Sequence, residues 1–179
     1  VKTADVFITN IPRMSSLKSA KIDPDALATI NPRLIYSAIS GYGHTGPKAS
    51  RGGYDIVAQG ESGLMALTGE LGGPPVRFPT PMSDITAGIY SLIGILSALY
   101  SRDTLPNGTG KGQFIDVSLV DSQTTFLANL GGSFLVTGER PERMGNMHPT
   151  ITPYQPIKAR DKAMIVAVGT ERLWKRFCK

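Results

Sequence analysis

The sequence predicts an α/β fold: a parallel, Rossmann-like sheet in a large domain, followed by the start of a small α+β domain. Three observations carry this expectation. Short apolar runs alternate with helical patterns from the N-terminus, as in βαβ units with a parallel sheet. One long helical pattern follows a proline-rich approach. Near the C-terminus two apolar runs flank a tight polar turn, the mark of a hairpin and hence of a different sheet. A boundary is placed near Gly138, so that 1–138 belongs to the large domain, 139–152 is an irregular crossing, and 153–179 begins the small domain.

In chain order, Asp5–Thr9 reads as a buried strand ending at Asn10. Arg13, Lys18 and Lys21 then fall in a Ser-rich loop. Asp23-Pro24 is a helix start, Asp at the cap and Pro in the first turn. That helix ends at Asn31-Pro32, and Leu34–Ile39 is the next strand. A loop with five glycines follows: Gly41, Gly43, Gly46, Gly52 and Gly53. In open parallel sheets ligands bind beyond the carboxyl ends of the strands, and glycine lets backbone approach them closely. The loop matches neither GxGxxG nor a P-loop, so no dinucleotide or triphosphate fingerprint is present.

Ile56–Leu67 reads as a helix with a soft centre at Gly60–Gly63, closed by Gly69. Pro79 and Pro81 keep the next approach extended. A long helix begins there, with Ile85, Ile89, Leu92, Ile93, Leu96, Leu99 and Tyr100 as its expected buried stripe. Ala87, Ser91, Gly94 and Ala98 form a second, narrow stripe where another backbone can come close. Leu105–Gly112 is a turn cluster, Gln113–Leu119 a strand, and Asp121 the cap of a helix over Ser122–Leu130. Tyr154–Lys158 and Ala163–Val168 form the hairpin, and Leu173–Cys178 starts an amphipathic helix.

Composition bounds the function. Ordinary hydrophobic content and modest charge describe a globular chain. The longest apolar run is broken by Gly and Ser, so no membrane span and a soluble protein are expected. Cys178 is the only cysteine, which excludes an intrachain disulfide, argues against a Cys-based metal site and fits a reducing cytoplasm. No leader is read, and both ends look cut, as in an internal piece of a longer protein. The net charge of +5 suits nucleic acid, a phosphate-rich ligand or simply a solvated surface. The basic residues lack the aromatic interleaving of an RNA-binding strand.

Asp84 stands at the head of the long helix. Two roles suit it: an N-cap, the commonest job of Asp there, or a carboxylate nucleophile favoured by the partial positive charge of a helix start. A carboxylate held in place at a helix start is also one that is aimed.

Together these pieces resemble the class III CoA-transferases, the family of formyl-CoA transferase and carnitine CoA-transferase. The marks are Ala4-Asp5-Val6 with Asn10, Asn31–Tyr36, Ser40–Gly43 with Gly46-Pro47, Gly53–Asp55, Asp84 with Gly88, Gly110–Gln113, and Gly145-Asn146 with His148-Pro149. The resemblance implies that Asp84 is the catalytic carboxylate, passing through aspartyl anhydride and aspartyl-CoA thioester intermediates. It implies CoA contacts at Asn10, Ile11, Pro12, Lys18, Arg51, Gly52, Gly53 and Tyr54. It implies substrate contacts at Tyr54, Gly145, Asn146, Met147 and His148, with Gly145, Asn146 and Met147 on a covering loop. It implies an acyl-CoA and a small carboxylic acid as substrates, an interlocked homodimer and no permanently bound cofactor; the residue pattern gives the expectation of no metal site and no nucleic-acid or membrane partner. The related racemases carry a histidine base where this chain has Tyr54, and a phenol is a poor base at neutral pH. Transferase is therefore expected over racemase, with a non-catalytic nucleotide- or RNA-binding domain as the reading from another class.

Overall fold

The computed structural model describes residues 1–104 and 108–179. Its central feature is a three-stranded parallel sheet in the order β1 (Val6–Thr9), β2 (Ile35–Ser40), β3 (Phe114–Ser118). Val6 pairs with Ile35 and Thr9 with Ala38; Tyr36 pairs with Phe114 and Ser40 with Ser118. The middle strand is buried at nearly every position, as a strand covered on both faces must be.

Alternation along β2 assigns its two faces. Tyr36 and Ala38 pack with Leu34 and with Leu27 of helix α2 (Pro24–Ile30). The Tyr36 hydroxyl donates to the Ile22 carbonyl at 2.8 Å, which satisfies its polar end. Helix α2 is capped as expected: the Asp23 side chain accepts from Ala26 N at 3.2 Å, and Pro24 takes the first helical position. On the opposite face Ile35 meets Ile95 and Ala98, and Ser37 shares a 2.8 Å hydrogen bond with Ser91. Ile95, Ala98 and Ser91 belong to the long helix α5 (Met82–Asp103).

Several expectations are corrected here. The Ser-rich loop contains helix α1 (Met14–Ser19), held by Leu17, which is fully buried. The helix expected over Ile56–Leu67 is two, α3 (Asp55–Glu61) and α4 (Leu64–Leu67), because Gly63 adopts φ +89° between them. Ser118, not Asp121, caps the helix after β3: its side chain accepts from Asp121 N at 3.1 Å. That helix, α6 (Leu119–Thr124), passes through a single 3-10 turn into α7 (Ala128–Thr137).

The largest correction concerns α5. Its buried residues are Ser83, Thr86, Ala87, Ser91, Ile95, Ala98 and Arg102, so the narrow small-residue stripe faces the sheet. Of the large apolar stripe only Leu99 packs inward. Ile85, Ile89, Leu92, Ile93, Leu96 and Tyr100 are exposed. Small side chains let the helix lie close over β2 and β3, and that approach decides which face is buried. The helix is also long and apolar enough to cross a membrane by length and composition, contrary to the reading of an interrupted run; Gly and Ser break an apolar run in sequence but not a helix. Its charged end is anchored to the sheet domain. The buried Arg102 guanidinium donates to Asp5 and Asp103 at 2.8 and 2.7 Å and to the Arg33 carbonyl at 2.8 Å.

The expected hairpin is present as β4 (Tyr154–Lys158) against β5 (Ala163–Ala167), antiparallel, with Lys158 opposite Ala163. Helix α8 (Glu171–Phe177) follows, with Thr170 accepting from Leu173 N at its start. Leu105, Pro106 and Asn107 of the expected turn cluster lie outside the described residues.

Candidate active site

A cleft of about 520 Å³ opens beyond the carboxyl ends of β1 and β2. Asn10, Pro12, Ile39, Ser40, Gly41, Gly52, Gly53, Tyr54, Asp84 and Leu119 line it. The sheet rule places a ligand at this end of the strands. Asn10 follows β1, and Ser40-Gly41 closes β2 and enters the glycine loop. Leu119 opens α6, and Asp84 comes from the first turn of α5.

The two ends of the glycine loop between β2 and α3 meet at the cleft wall. A Cβ on Gly41 would lie 2.6 Å from Gly53 Cα, and one on Gly53 would lie 2.6 Å from Gly41 Cα. Only two glycines let these backbones touch. Hydrogen bonds hold the Gly41 side of this contact. The Gly41 carbonyl accepts from Val120 N at 3.2 Å and from Ser118 Oγ at 3.3 Å. Beyond it, Asp116 of β3 accepts from His44 N and pairs with His44 Nδ1, each at 2.8 Å. Immediately after Gly53, Tyr54 heads α3 and is 80% exposed, so its ring stands in the open cleft.

Asp84 is not a cap. The cap position of α5 is Pro81, and Asp84 stands inside the first turn, exposed toward the cleft. Its carboxylate has no hydrogen-bond or ion-pair partner among the described residues. Partial loss of water around the carboxyl raises its pKa above the usual aspartate range, and the nearby negative charge of Asp55 raises it further. Asp55 itself is buried. It accepts from Ser83 N at 3.0 Å and from Ser83 Oγ at 2.9 Å.

The cleft therefore brings together Asp84, Asn10, Pro12, Gly52, Gly53 and Tyr54 of the residues expected from sequence. The others stand elsewhere. Ile11 is half-buried, with its N–H donating to Thr9 Oγ1 at 3.2 Å. Lys18 is exposed in the last turn of α1. Arg51 is exposed in the loop where Lys48 pairs with Glu61, the carboxylate that also accepts from the Tyr42 hydroxyl. Gly145, Asn146 and Met147 are exposed in the crossing, where Gly145 N donates to the Gly69 carbonyl at 3.0 Å. His148 organises its own turn: Nδ1 accepts from Thr150 N and Ile151 N, each at 3.1 Å, and its ring lies 5.1 Å from that of Tyr154. Sequence reasoning did not single out Ile39, Ser40, Gly41 and Leu119 as site residues. Their signal was positional, since each sits where a strand passes into a loop or helix. No cluster of His, Cys, Asp and Glu suited to a metal occurs among the described residues.

The model of CoA-transferase family III matches residues 1–179. The chain is 42% identical over 178 residues to a succinate–glutarate CoA-transferase of Agrobacterium fabrum, spanning 99% of this chain and 43% of that protein. It is 40% identical to an acetyl-CoA:oxalate CoA-transferase of Acetobacter aceti, spanning 99% and 45%. With the human succinyl-CoA:glutarate CoA-transferase it shares 37% identity, spanning 98% and 39%. The crystal structure of a CAIB/BAIF family protein from Brucella suis superposes with a TM-score of 0.84 at 45% identity, covering 94% of this chain and 43% of that one. The chain thus spans less than half the length of the curated relatives it matches. With a family model matched from end to end and a parallel α/β fold shared with a solved relative, this chain belongs to CoA-transferase family III.

Proposed function

We propose that the protein containing this chain moves CoA from an acyl-CoA donor to a small carboxylic acid, with Asp84 as the covalent nucleophile. The observation that carries this is the unengaged Asp84 carboxylate, set in the first turn of a long helix and open to a cleft with two apposed glycines. A carboxylate at that position attacks the thioester carbonyl of the donor. The C–S bond breaks, CoA leaves as the thiolate, and a mixed anhydride forms between the acyl group and Asp84. The thiolate then attacks the aspartyl carbonyl, releasing the donor acid and leaving aspartyl-CoA thioester. The acceptor carboxylate attacks this thioester, forming a second anhydride and expelling the thiolate again. Attack of the thiolate on the acceptor's acyl carbon gives the new acyl-CoA and regenerates the Asp84 carboxylate. Thioester energy is conserved throughout, so no nucleotide is consumed.

The residues around Asp84 suit these steps. The helix start supplies partial positive charge for the oxyanions. The glycine crossing lets backbone approach a long ligand at the cleft wall, and Asn10 and Tyr54 offer polar ends beside it. Both intermediates hydrolyse readily, so the complete site must exclude water. The 520 Å³ cleft is open here, and we assign its cover to a second subunit in an interlocked homodimer. The exposed apolar stripe of α5 supports burial of this face in a larger assembly. The lone Cys178 supports a cytoplasmic location. Dicarboxylates are the proposed acid class, because relatives at 37–42% identity are named for succinate, glutarate and oxalate.

The test is made on the full-length protein. It is incubated with succinyl-CoA, quenched with hydroxylamine and digested, and the peptide containing Asp84 is weighed. A hydroxamate on Asp84, absent from Asp84→Asn, is expected, with transfer to glutarate reduced by at least on the order of 10³-fold in that variant. An unmodified Asp84 peptide together with α-proton exchange in deuterated water would replace the transferase reading with a racemase.

A further inference from the structure

An aspartate in the first turn of a helix ordinarily spends its carboxylate on the free N–H groups there. At the start of α5 those groups need an acceptor, because the cap residue is Pro81, which has no side chain able to accept. Asp84 does not serve. Asp55 does, from the first position of a different helix. Its Oδ1 accepts both the N–H and the hydroxyl of Ser83, at 3.0 and 2.9 Å. Its Oδ2 accepts from Gln59 Nε2 at 2.8 Å. Gln59 is fully buried and completely engaged: Nε2 also donates to the Phe78 carbonyl at 3.1 Å, and Oε1 accepts from Phe78 N at 2.8 Å.

We infer that Asp55 is a positioning residue for Asp84: by capping α5 in place of Asp84, it leaves the Asp84 carboxylate unengaged and aimed into the cleft. This rests on the reading of Asp84 as the nucleophile. Three hydrogen bonds fix the Asp55 carboxylate, so it sets the start of α5 relative to α3. The two neighbours of the pair show why that matters. Tyr54, one residue before Asp55, and Asp84, one residue after Ser83, line the same cleft. One buried carboxylate thus ties the residues on both sides of the reacting space to each other.

The network calls for a hydrogen-bond acceptor at both Asp55 oxygens. An amide at position 55 has one oxygen and one NH2 group. If the oxygen meets Ser83, the NH2 opposes the Gln59 NH2. If Gln59 turns to relieve this, its NH2 faces Phe78 N–H and its oxygen faces the Phe78 carbonyl, and both of those bonds are lost. Asp55→Asn therefore changes no volume but leaves donors opposed in a buried site, next to the Phe78–Pro81 approach to Asp84.

The experiment uses full-length wild type, Asp55→Asn and Ser83→Ala, with succinyl-CoA as donor and glutarate as acceptor. Steady-state kinetics are combined with single-turnover trapping of the Asp84 hydroxamate. For Asp55→Asn, kcat and the trapping rate are expected to fall about 100-fold, the cost of a misplacement of about 1 Å. KM for succinyl-CoA stays within about threefold, since binding to the cleft is retained. Ser83→Ala keeps the N–H contact and is expected to lose about tenfold in kcat. Trapping at the wild-type rate in Asp55→Asn would overturn the inference while leaving Asp84 as nucleophile. So would a raised KM with unchanged kcat. Absence of any Asp84 adduct in wild type would remove the nucleophile reading and this inference with it. Should Asp55→Asn fail to fold, Ser83→Ala decides by the same split between kcat and KM.

Discussion

Asp84 carries two opposing electrostatic influences, and their balance sets its pH behaviour. The helix start favours the ionised form. Withdrawal of water and the buried charge of Asp55 oppose it, and together they hold the pKa above the usual aspartate range. A nucleophile must be ionised, so the acid limb of kcat/KM is expected at a higher pH than a free aspartate would give. The stability effect has the opposite sense. A raised folded pKa means the native state binds the proton more tightly than the unfolded chain, so this contribution is complete at low pH and is lost as pH rises through the folded value. Asp84→Asn is therefore expected to melt at or above the wild-type temperature at pH 7, while wild type gains on the variant as pH is lowered. Thermal melts of both proteins across that range check the sign. A wild type more stable than Asp84→Asn at neutral pH would mean that the carboxylate is engaged, contrary to its unpartnered position here.

At the scale of elements, the cleft depends on one loop whose two ends touch at Gly41 and Gly53. That loop contains no helix or strand. Its Gly41 end is held by the Ser118 and Val120 contacts to the Gly41 carbonyl and by the Asp116–His44 pair. A methyl group on Gly53 would sit 2.6 Å from the Gly41 Cα, where backbone rather than a flexible side chain must give way. Gly53→Ala is expected to cost about 1–3 kcal/mol, the usual range for overpacking. It should also reduce transfer activity more than that loss alone explains, because relief of the clash moves Tyr54 relative to Asp84. Urea unfolding and steady-state rates, measured on the same preparation, separate the two effects. Activity retained in a destabilised variant would show that the crossing serves the fold alone.

Across the whole molecule, the outward side of α5 is an apolar face left exposed in this chain. Ile89 is 52%, Leu92 55% and Leu96 56% exposed along one continuous face. A solitary surface substitution away from special features usually changes stability by about 0.5 kcal/mol or less. If this face is buried in the proposed homodimer, Leu96→Asp in the full-length protein is expected to dissociate or unfold it. Sedimentation analysis and thermal melting report that directly. A variant with unchanged mass and melting temperature would place the α5 face on the outside of the assembly and remove its support for the interlocked arrangement.

What the sequence determined by itself was local or ordered along the chain. The Asp23-Pro24 start of α2 was legible because capping needs only neighbours. The parallel strands and the terminal hairpin were legible because turn residues and apolar runs mark them. Asp84, Asn10, Pro12, Gly52, Gly53 and Tyr54 were named by resemblance to a family, and the fold brings these six to one cleft. Tertiary structure alone decided which side of α5 is buried. Periodicity reports that a helix has an apolar stripe, but the choice between a broad stripe and a narrow one depends on how closely the sheet approaches. It also decided what caps α5. In sequence Asp84 and Asp55 are each an aspartate beside a helix start, and position cannot tell a carboxylate that caps its own helix from one that caps another's. Only the meeting of α3 and α5 places Asp55 on Ser83 and leaves Asp84 open to the cleft, because a hydrogen bond between residues 28 apart in the chain has no signature in the sequence near either of them.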